Sequence, residues 1–261
     1  MPQVAAHLAV QFPVAMFSLP HILFLLCLPL AAFLGIHVAR KAGFSIKVLW
    51  TCALIGLVSE FEKILFFARE IPGHTGSRMA AGQLPLNMCP FQVILLLVLV
   101  LSGNPQKHKN ILAYMFPTTI AGGFMATLIA AAIENYHGLL DISTYRYFFF
   151  HAMLVFLGFY LYFSKPINYD IKSYFTAIFG ALLWLIAGIW MNGFFGWEPS
   201  VNFNFAVRPP AEGLPLLNLN NGWPAYIFTL IAMGTVLITL CYLPVIIREI
   251  RGFLKMREKP A

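Results

Sequence analysis

The stretch LPLNMCP, residues 84–90, opens an apolar run that continues to residue 101. Pro85 favours a turn before this run, and Cys89 falls in the first turn of the helix that the run predicts. A thiol at a helix N-terminus lies at the positive end of the helix dipole, which favours the thiolate. Cys89 is therefore a candidate nucleophile, and the rest of the chain predicts its setting.

The composition is typical of an integral membrane protein. Of the 261 residues, 60% are hydrophobic and only 10% are charged, whereas a soluble domain carries about 25% charged residues. A transmembrane helix needs a run of roughly 17–25 apolar residues. Such runs predict an all-α polytopic membrane protein with about seven transmembrane helices. The predicted spans are 22–39, 48–67, 86–101, 111–132, 147–163, 175–195 and 225–247.

The distribution of Lys and Arg predicts the orientation of these spans. The first, third and fifth connections and the C-terminus together hold twelve of these residues, whereas the N-terminus and the other connections hold four, namely Arg69, Arg78, Arg146 and Arg208. Because cytoplasmic loops carry the excess of Lys and Arg, we expect the N-terminus outside and the C-terminus in the cytoplasm. The predicted organisation is an extracytoplasmic or interfacial segment (1–21), a seven-span domain (22–247) and a basic cytoplasmic tail (248–261).

Several function classes are disfavoured by the sequence. On a membrane protein, the net charge of +7 is explained by topology and lipid headgroups rather than by nucleic acid. The four cysteines show no CxxC pair and no metal-ligand spacing, and no phosphate loop, HExxH motif or carboxylate cluster is present. We therefore predict no cofactor and no metal. We expect an integral protein of the plasma (inner) membrane of a bacterium.

Polar residues of five predicted spans fall in one slab near the outer boundary. At a rise of 1.5 Å per residue, Cys89, His151, Asn192 and Lys63 lie roughly 5–6 Å deep and Glu60 roughly 10 Å deep. His21 begins the first span. The predicted outer loop 196–224 has a length that is typical of lids and binding loops. Scattered structural polar residues would not all lie on one side, so this slab is the candidate site.

Two readings are open for the charged residues of the second span. Glu60 and Lys63 share a helix face and can form a structural ion pair, or they can belong to a functional site, as intramembrane charges often do. Glu62 points elsewhere. It needs a partner such as a histidine or an arginine, or it is protonated.

Cys89 and His151 are the residue types of nucleophilic catalysis. A thiolate attacks an ester carbonyl, while an imidazole deprotonates the thiol and later protonates the leaving alkoxide. The alternative is structural, because free cysteine is a common small buried hydrophobic residue and a lone histidine is often a hydrogen-bonded core residue. We interpret the other three cysteines, Cys27, Cys52 and Cys241, in that structural way.

The residues of the opening stretch resemble a family signature. The sequence at 84–89 is similar to the "LPLHLC" motif of YwaF/TMEM164-like integral membrane proteins, with Asn87 where the family commonly has histidine. Other stretches resemble the family in the same order along the chain. They are SLPH at 18–21, YFFFH at 147–151, Asn192 with the NF and RPP stretches at 202–203 and 208–210, and NGWPAY at 221–226.

The resemblance implies an enzyme that transfers fatty acyl chains between phospholipids. Carried over by position, Cys89 is the acyl-accepting nucleophile and His151 the base. Asn87 or Asn192 would then stabilise the oxyanion. We also expect His21, Glu60, Lys63 and Arg78 to contact the substrate, which would be a membrane phospholipid or lysolipid.

The leading hypothesis is thus a lipid acyltransferase or acyl-ester hydrolase acting in the outer leaflet. The alternative is a non-catalytic lipid-binding or assembly subunit, with a homo-oligomer or a protein partner left open. A solute transporter is less favoured. A rhodopsin-like receptor is disfavoured because the last predicted span, 225–247, contains no lysine for a retinal Schiff base.

Overall fold

The computed structural model describes residues 14–68, 84–129, 139, 141–196, 201–210, 214 and 216–257. This part of the chain is helical and contains no β-strand. Its helices are α1 (Leu19–Leu25), α2 (Cys27–Ala42), α3 (Ile46–Ala68), α4 (Met88–Leu101), α5 (Lys109–Ile129), α6 (Ile142–Ser164), α7 (Ile171–Phe194) and α8 (Gly222–Arg257). Two 3₁₀ turns, Pro105–Lys107 and Phe203–Phe205, lie in the connections.

Five helical segments are long and apolar enough to cross a membrane. They are Leu19–Ala42, which joins α1 and α2, together with Lys109–Ile129, Ile142–Ser164, Ile171–Phe194 and Gly222–Lys255. The chain is therefore a multi-pass integral membrane protein. Helix α4 has only 14 residues and is about 21 Å long, shorter than a hydrocarbon core of about 30 Å. Helix α3 has 23 residues, but Glu60, Glu62 and Lys63 lie in its second half.

Local sequence explains the helix boundaries. Ser18 caps α1 by accepting from the His21 N–H, and α1 and α2 meet at Leu26 because Pro29 has no N–H to donate to the preceding turn. Helix α6 begins at Ile142, five residues before the predicted span, because Asp141 caps it through the Ser143 N–H at 2.9 Å. Helix α8 continues ten residues past the predicted boundary at 247.

Helices α5 and α6 form the centre of the bundle. Helix α6 packs against α2, α3 and α5, and α5 packs also against α4, α7 and α8. More than half of each central helix is buried, whereas less than a quarter of α1–α2, α7 and α8 is buried. The exposed side chains of the outer helices are large and apolar, such as Phe175, Phe179 and Ile186 of α7, as expected of a surface that faces lipid.

Glycines bring the central backbones close together. A Cβ added to Gly158 of α6 would lie 2.8 Å from the Phe116 carbonyl oxygen of α5, and one added to Gly35 of α2 would lie 2.5 Å from the Phe156 carbonyl oxygen of α6. Small residues at helix contacts allow this close approach in membranes. The α2–α6–α5 stack therefore fixes the position of α6, which carries His151.

Candidate functional site

Polar side chains from six helices meet at the end of the bundle where α4 begins. His21 joins α1 to α5 at this end, and the Glu62–Arg146 ion pair joins α3 to α6. Asn87 joins the start of α4 to the 203–205 turn. We call this end the Cys89 end. It brings together the residues that the sequence places in one outer slab. Arg78, a further predicted substrate contact, lies outside the described residues.

Cys89 packs against a glycine of the central helix. Its Sγ would lie 3.0 Å from a Cβ added to Gly122 of α5, and the Met88 Cε would lie 3.2 Å from the same position. The thiol is a free cysteine and is partly buried. The absence of a side chain at Gly122 therefore provides the space in which the thiol lies.

His151 of α6 contacts Gly123, the residue that follows Gly122 in α5. A Cβ added to Gly123 would lie 2.6 Å from the His151 carbonyl oxygen. The His151 Nδ1 lies 2.8 Å from the Tyr147 carbonyl oxygen. Because a carbonyl can only accept a hydrogen bond, Nδ1 carries the hydrogen in the neutral ring, and Nε2 has an unshared electron pair. No hydrogen bond to Nε2 is formed within the described part of the chain.

Cys89 and His151 therefore lie at the same level, on two sides of the Gly122–Gly123 step. No hydrogen bond joins their side chains in this state. Tyr147 is near both groups, because its ring centroid is 4.3 Å from that of His151 and it is close enough to Cys89 to interact electrostatically. The Tyr147 hydroxyl donates to the Ala126 carbonyl at 2.8 Å, which fixes the ring against α5.

Four charged residues lie beside this pair. Lys63 forms an ion pair with Glu60, and Arg146 of α6 forms one with Glu62. The Ser143 hydroxyl also donates to Glu62 Oε1 at 2.9 Å. Arg146 is thus the arginine partner that Glu62 requires, and the cluster is electrically balanced. Arg146 is within electrostatic range of His151, and Glu60 is within range of Cys89.

His21 is a fully hydrogen-bonded structural residue in this state. Its Nδ1 accepts the Phe17 N–H at 2.8 Å, and its Nε2 lies 2.8 Å from the Thr127 carbonyl oxygen. The first contact requires Nδ1 to be unprotonated and the second requires Nε2 to carry the hydrogen. Both nitrogens are used, and the side chain is completely buried. We therefore assign His21 to the α1–α5 contact and not to the substrate.

Asn87 connects the cysteine motif to the loop that follows α7. Its Oδ1 accepts the backbone N–H of Asn204 at 2.9 Å. Asn204 has a left-handed backbone (φ 55°), and its Nδ2 donates to the Trp184 carbonyl at 2.9 Å. The Asn87 amide hydrogens form no hydrogen bond within the described residues, so they are available to a ligand.

Asn192 of α7 forms hydrogen bonds that fix the same loop. Its Nδ2 donates to the carbonyl oxygens of Gly188 and Phe203, at 2.7 and 3.1 Å, and its Oδ1 accepts the Phe203 N–H at 2.9 Å. Both amide hydrogens and the carbonyl oxygen are therefore occupied. We assign Asn192 to the fixed 203–205 turn and not to an oxyanion.

Sequence reasoning missed two residues that contribute to this end. Arg146 was counted as a loop residue because Ser143, Thr144 and Arg146 itself interrupt the apolar run of α6. Gln92 lies three residues after Cys89 in an otherwise apolar helix, and it is wholly buried. The sequence feature that could have identified Gln92 is an amide side chain within an apolar helix, since buried polar groups require partners.

The described residues include no group of three His, Cys, Asp or Glu that could hold a metal ion.

The fold and this polar end define a multi-pass helical membrane protein with a candidate Cys–His site where α4 and α6 pack on α5. The chain belongs to the TMEM164 family, whose sequence profile matches residues 11–242. No curated protein and no solved structure gives a significant match. The matched region contains all eight predicted site residues.

Proposed function

We propose that this protein is a lipid acyltransferase or acyl-ester hydrolase that acts through Cys89 and His151. The observation that carries the proposal is the ring state of His151, whose Nδ1 hydrogen is held by Tyr147 while Nε2 is free to accept a proton. The backbone of His151 packs on Gly123, and the Cys89 thiol packs on Gly122, the preceding residue of α5. A fixed tautomer with a free Nε2 is what a general base requires.

The reaction follows from these two groups. His151 Nε2 removes the thiol proton, and the Cys89 sulfur attacks the ester carbonyl carbon of a lipid. A C–S bond forms, the ester C–O bond breaks, and His151 returns the proton to the departing alkoxide. The resulting thioester then passes its acyl group to a hydroxyl. Hydrogen bonds of catalytic pairs are often long without substrate, so the unbonded Cys89–His151 pair is compatible with this chemistry.

Asn87 is the candidate oxyanion donor. It precedes Cys89 by two residues, its Oδ1 is fixed by Asn204, and its amide hydrogens are unused within the described residues. Donors that are fixed before the reaction stabilise developing negative charge most effectively. In this proposal Asn87 replaces the histidine that is common in the family motif.

The charged cluster is the candidate headgroup site. Glu60 lies near Cys89 and Arg146 lies near His151. Lys63 is paired with Glu60, and Arg78 is added as a sequence-based candidate. A substrate phosphate would compete with Glu60 and Glu62 for the two cations.

We further propose seven crossings, the N-terminus outside, the Cys89 end in the outer leaflet, and a bacterial inner-membrane location. The excess of cytoplasmic Lys and Arg supports this orientation.

Reconstitution tests the enzymatic proposal directly. The protein is placed in proteoliposomes that contain a phospholipid with a fluorescent acyl chain, and the acyl group is followed to lysolipid or to free fatty acid. We expect turnover, together with a hydroxylamine-labile acyl adduct on Cys89 by mass spectrometry. Cys89→Ala should lose both signals, whereas the control Cys241→Ala should keep both. Equal turnover by Cys89→Ala would refute the proposal.

The second candidate is a non-catalytic lipid-binding or assembly subunit. It is favoured by the packing of the Cys89 sulfur against Gly122 without a hydrogen bond to His151. In that case Cys89→Ser should retain the cellular function and the thiol should resist iodoacetamide in membranes, because a neutral packed thiol reacts slowly. If iodoacetamide alkylates Cys89 in the wild-type protein but not in His151→Ala, this candidate is excluded.

A further inference from the structure

A buried amide lies one helical turn beyond Cys89. Gln92 shares a face of α4 with Cys89, since it is three residues further along the helix. Its Nε2 donates to the Thr118 hydroxyl oxygen at 3.0 Å. Its Oε1 is buried and has no hydrogen-bond partner among the described residues. The acylation step described above makes no use of this acceptor.

A buried phenol lies beside the same threonine. The Tyr114 hydroxyl is adjacent to Thr118 and within electrostatic range of Cys89, yet no described residue forms a hydrogen bond with it. The Thr118 hydroxyl hydrogen goes to the Tyr114 carbonyl at 2.7 Å. The Tyr114 ring is fixed against α7, because a Cβ on Gly180 would lie 2.8 Å from its Cδ2.

The two unused groups are complementary. Gln92 Oε1 is an acceptor and the Tyr114 hydroxyl is a donor, and leaving either of them buried without a partner destabilises the protein. A single hydroxyl both donates and accepts, so one hydroxyl can satisfy both. We propose that Gln92 and Tyr114 form the subsite for the hydroxyl that accepts the acyl group from Cys89. That hydroxyl belongs either to water or to the alcohol of a lysolipid.

This inference rests on the proposed acyl chemistry and specifies its second half. The bound hydroxyl oxygen attacks the thioester carbonyl carbon, so a C–O bond forms and the C–S bond breaks. As this oxygen attacks, its hydrogen leaves Gln92 Oε1 and passes to His151 Nε2, which then returns the proton to the Cys89 sulfur. The products are an ester or a fatty acid and the free thiol. Gln92 and Tyr114 orient the acceptor and do not take part in the first acylation.

The test separates the two half-reactions in proteoliposomes. A phospholipid with a fluorescent acyl chain loads Cys89, and the release of the acyl group is then timed in buffer alone or with added lysophospholipid. In Tyr114→Phe and Gln92→Met we expect loading at the wild-type rate and release slowed about tenfold, as expected for the loss of one hydrogen bond. Because water is present in both arms, slower release in both identifies water, and slower release only with added lysophospholipid identifies the lipid alcohol.

A matched tyrosine controls for a structural effect. The Tyr242 hydroxyl donates to the Ala113 carbonyl at 3.0 Å, so Tyr242→Phe loses a hydrogen bond that is formed without ligand. We expect Tyr242→Phe to lower Tm and to leave release unchanged. Tyr114→Phe should keep or raise Tm, because its hydroxyl lacks a partner in the free protein.

Unchanged release in both Tyr114→Phe and Gln92→Met, with normal loading, would overturn the subsite and leave the proposed function standing. Loading and release slowed by the same factor would also overturn it, since that result indicates a general packing defect. If the wild-type protein never loads Cys89, the proposed function fails, and this inference fails with it.

Discussion

Gly123→Ala tests whether close packing of α5 on α6 holds His151 in position. The added Cβ would lie 2.6 Å from the His151 carbonyl oxygen, whereas ordinary contact begins at 3.4 Å, so α6 must move by about 0.8 Å. The obstacle is backbone, flanked by Val155 and Leu154, and no side-chain rotation removes it. Overpacking of this kind costs about 1–3 kcal/mol, and the higher helix propensity of alanine offsets up to about 1 kcal/mol.

Two other glycines provide graded controls. At Gly122 the added Cβ meets only the Cys89 Sγ and the Met88 Cε, which are ends of side chains and can move. At Gly234 of α8 nothing lies within 4 Å, so alanine there should be neutral or slightly stabilising. In detergent we expect Gly234→Ala to have the highest Tm, Gly122→Ala an intermediate Tm and Gly123→Ala the lowest.

The same displacement should affect activity. A shift of about 1 Å in a catalytic group can reduce the rate about 100-fold, so the folded Gly123→Ala protein should load Cys89 far more slowly than Gly234→Ala does. Thermal unfolding by tryptophan fluorescence and the loading assay provide the two measurements. A Gly123→Ala protein that matches Gly234→Ala in both would refute the claim that α5 positions His151.

Three further predictions concern the charged and capping residues. Arg146→Ala leaves the Glu62 carboxylate without its cation and should destabilise the protein by about 3–5 kcal/mol, whereas adding Glu62→Gln should restore much of the Tm; no restoration would show that the pair is not coupled. A backbone hydrogen bond from the N-terminus of α7 lowers the pKa of Asp170, so its stabilisation is present above the ordinary pKa and is lost as the pH falls through the lowered one. Asp170→Asn should therefore unfold with a weaker dependence on pH in the acidic range, and an identical pH profile would contradict this assignment. His21→Phe removes the hydrogen bond to the Thr127 carbonyl and should lower Tm, while loading of Cys89 per folded molecule stays within about twofold; a much larger loss would return His21 to the substrate site.

Hydropathy predicted much of the helical arrangement. Each predicted span overlaps a helix of the structure, the first of them covering both α1 and α2, and the polar residues assigned to one slab meet at one end of the bundle. The boundaries were less accurate where polar residues lie inside a helix. Helix α6 begins five residues early because Asp141 caps it, a local hydrogen bond that an average over an apolar window does not detect.

The roles of individual polar residues were harder to predict. His21 and Asn192 have the residue types of a catalytic site, but hydrogen bonds to Thr127 and Phe203 occupy them fully. Arg146, which was counted as a loop residue, is the partner of Glu62. A residue type indicates which bonds a side chain can form, whereas the helix packed against it decides which bonds it does form.

The sequence alone determined that this is a helical membrane protein with a cysteine at the start of a short apolar helix. It did so because apolar runs and prolines act locally along the chain. Only the tertiary structure decided that Cys89 and His151 lie on two sides of Gly122–Gly123, that the ring of His151 has a free Nε2, and that Gln92 and Tyr114 have unused hydrogen-bonding groups. These features depend on contacts between helices that are distant in sequence, and no local pattern encodes them.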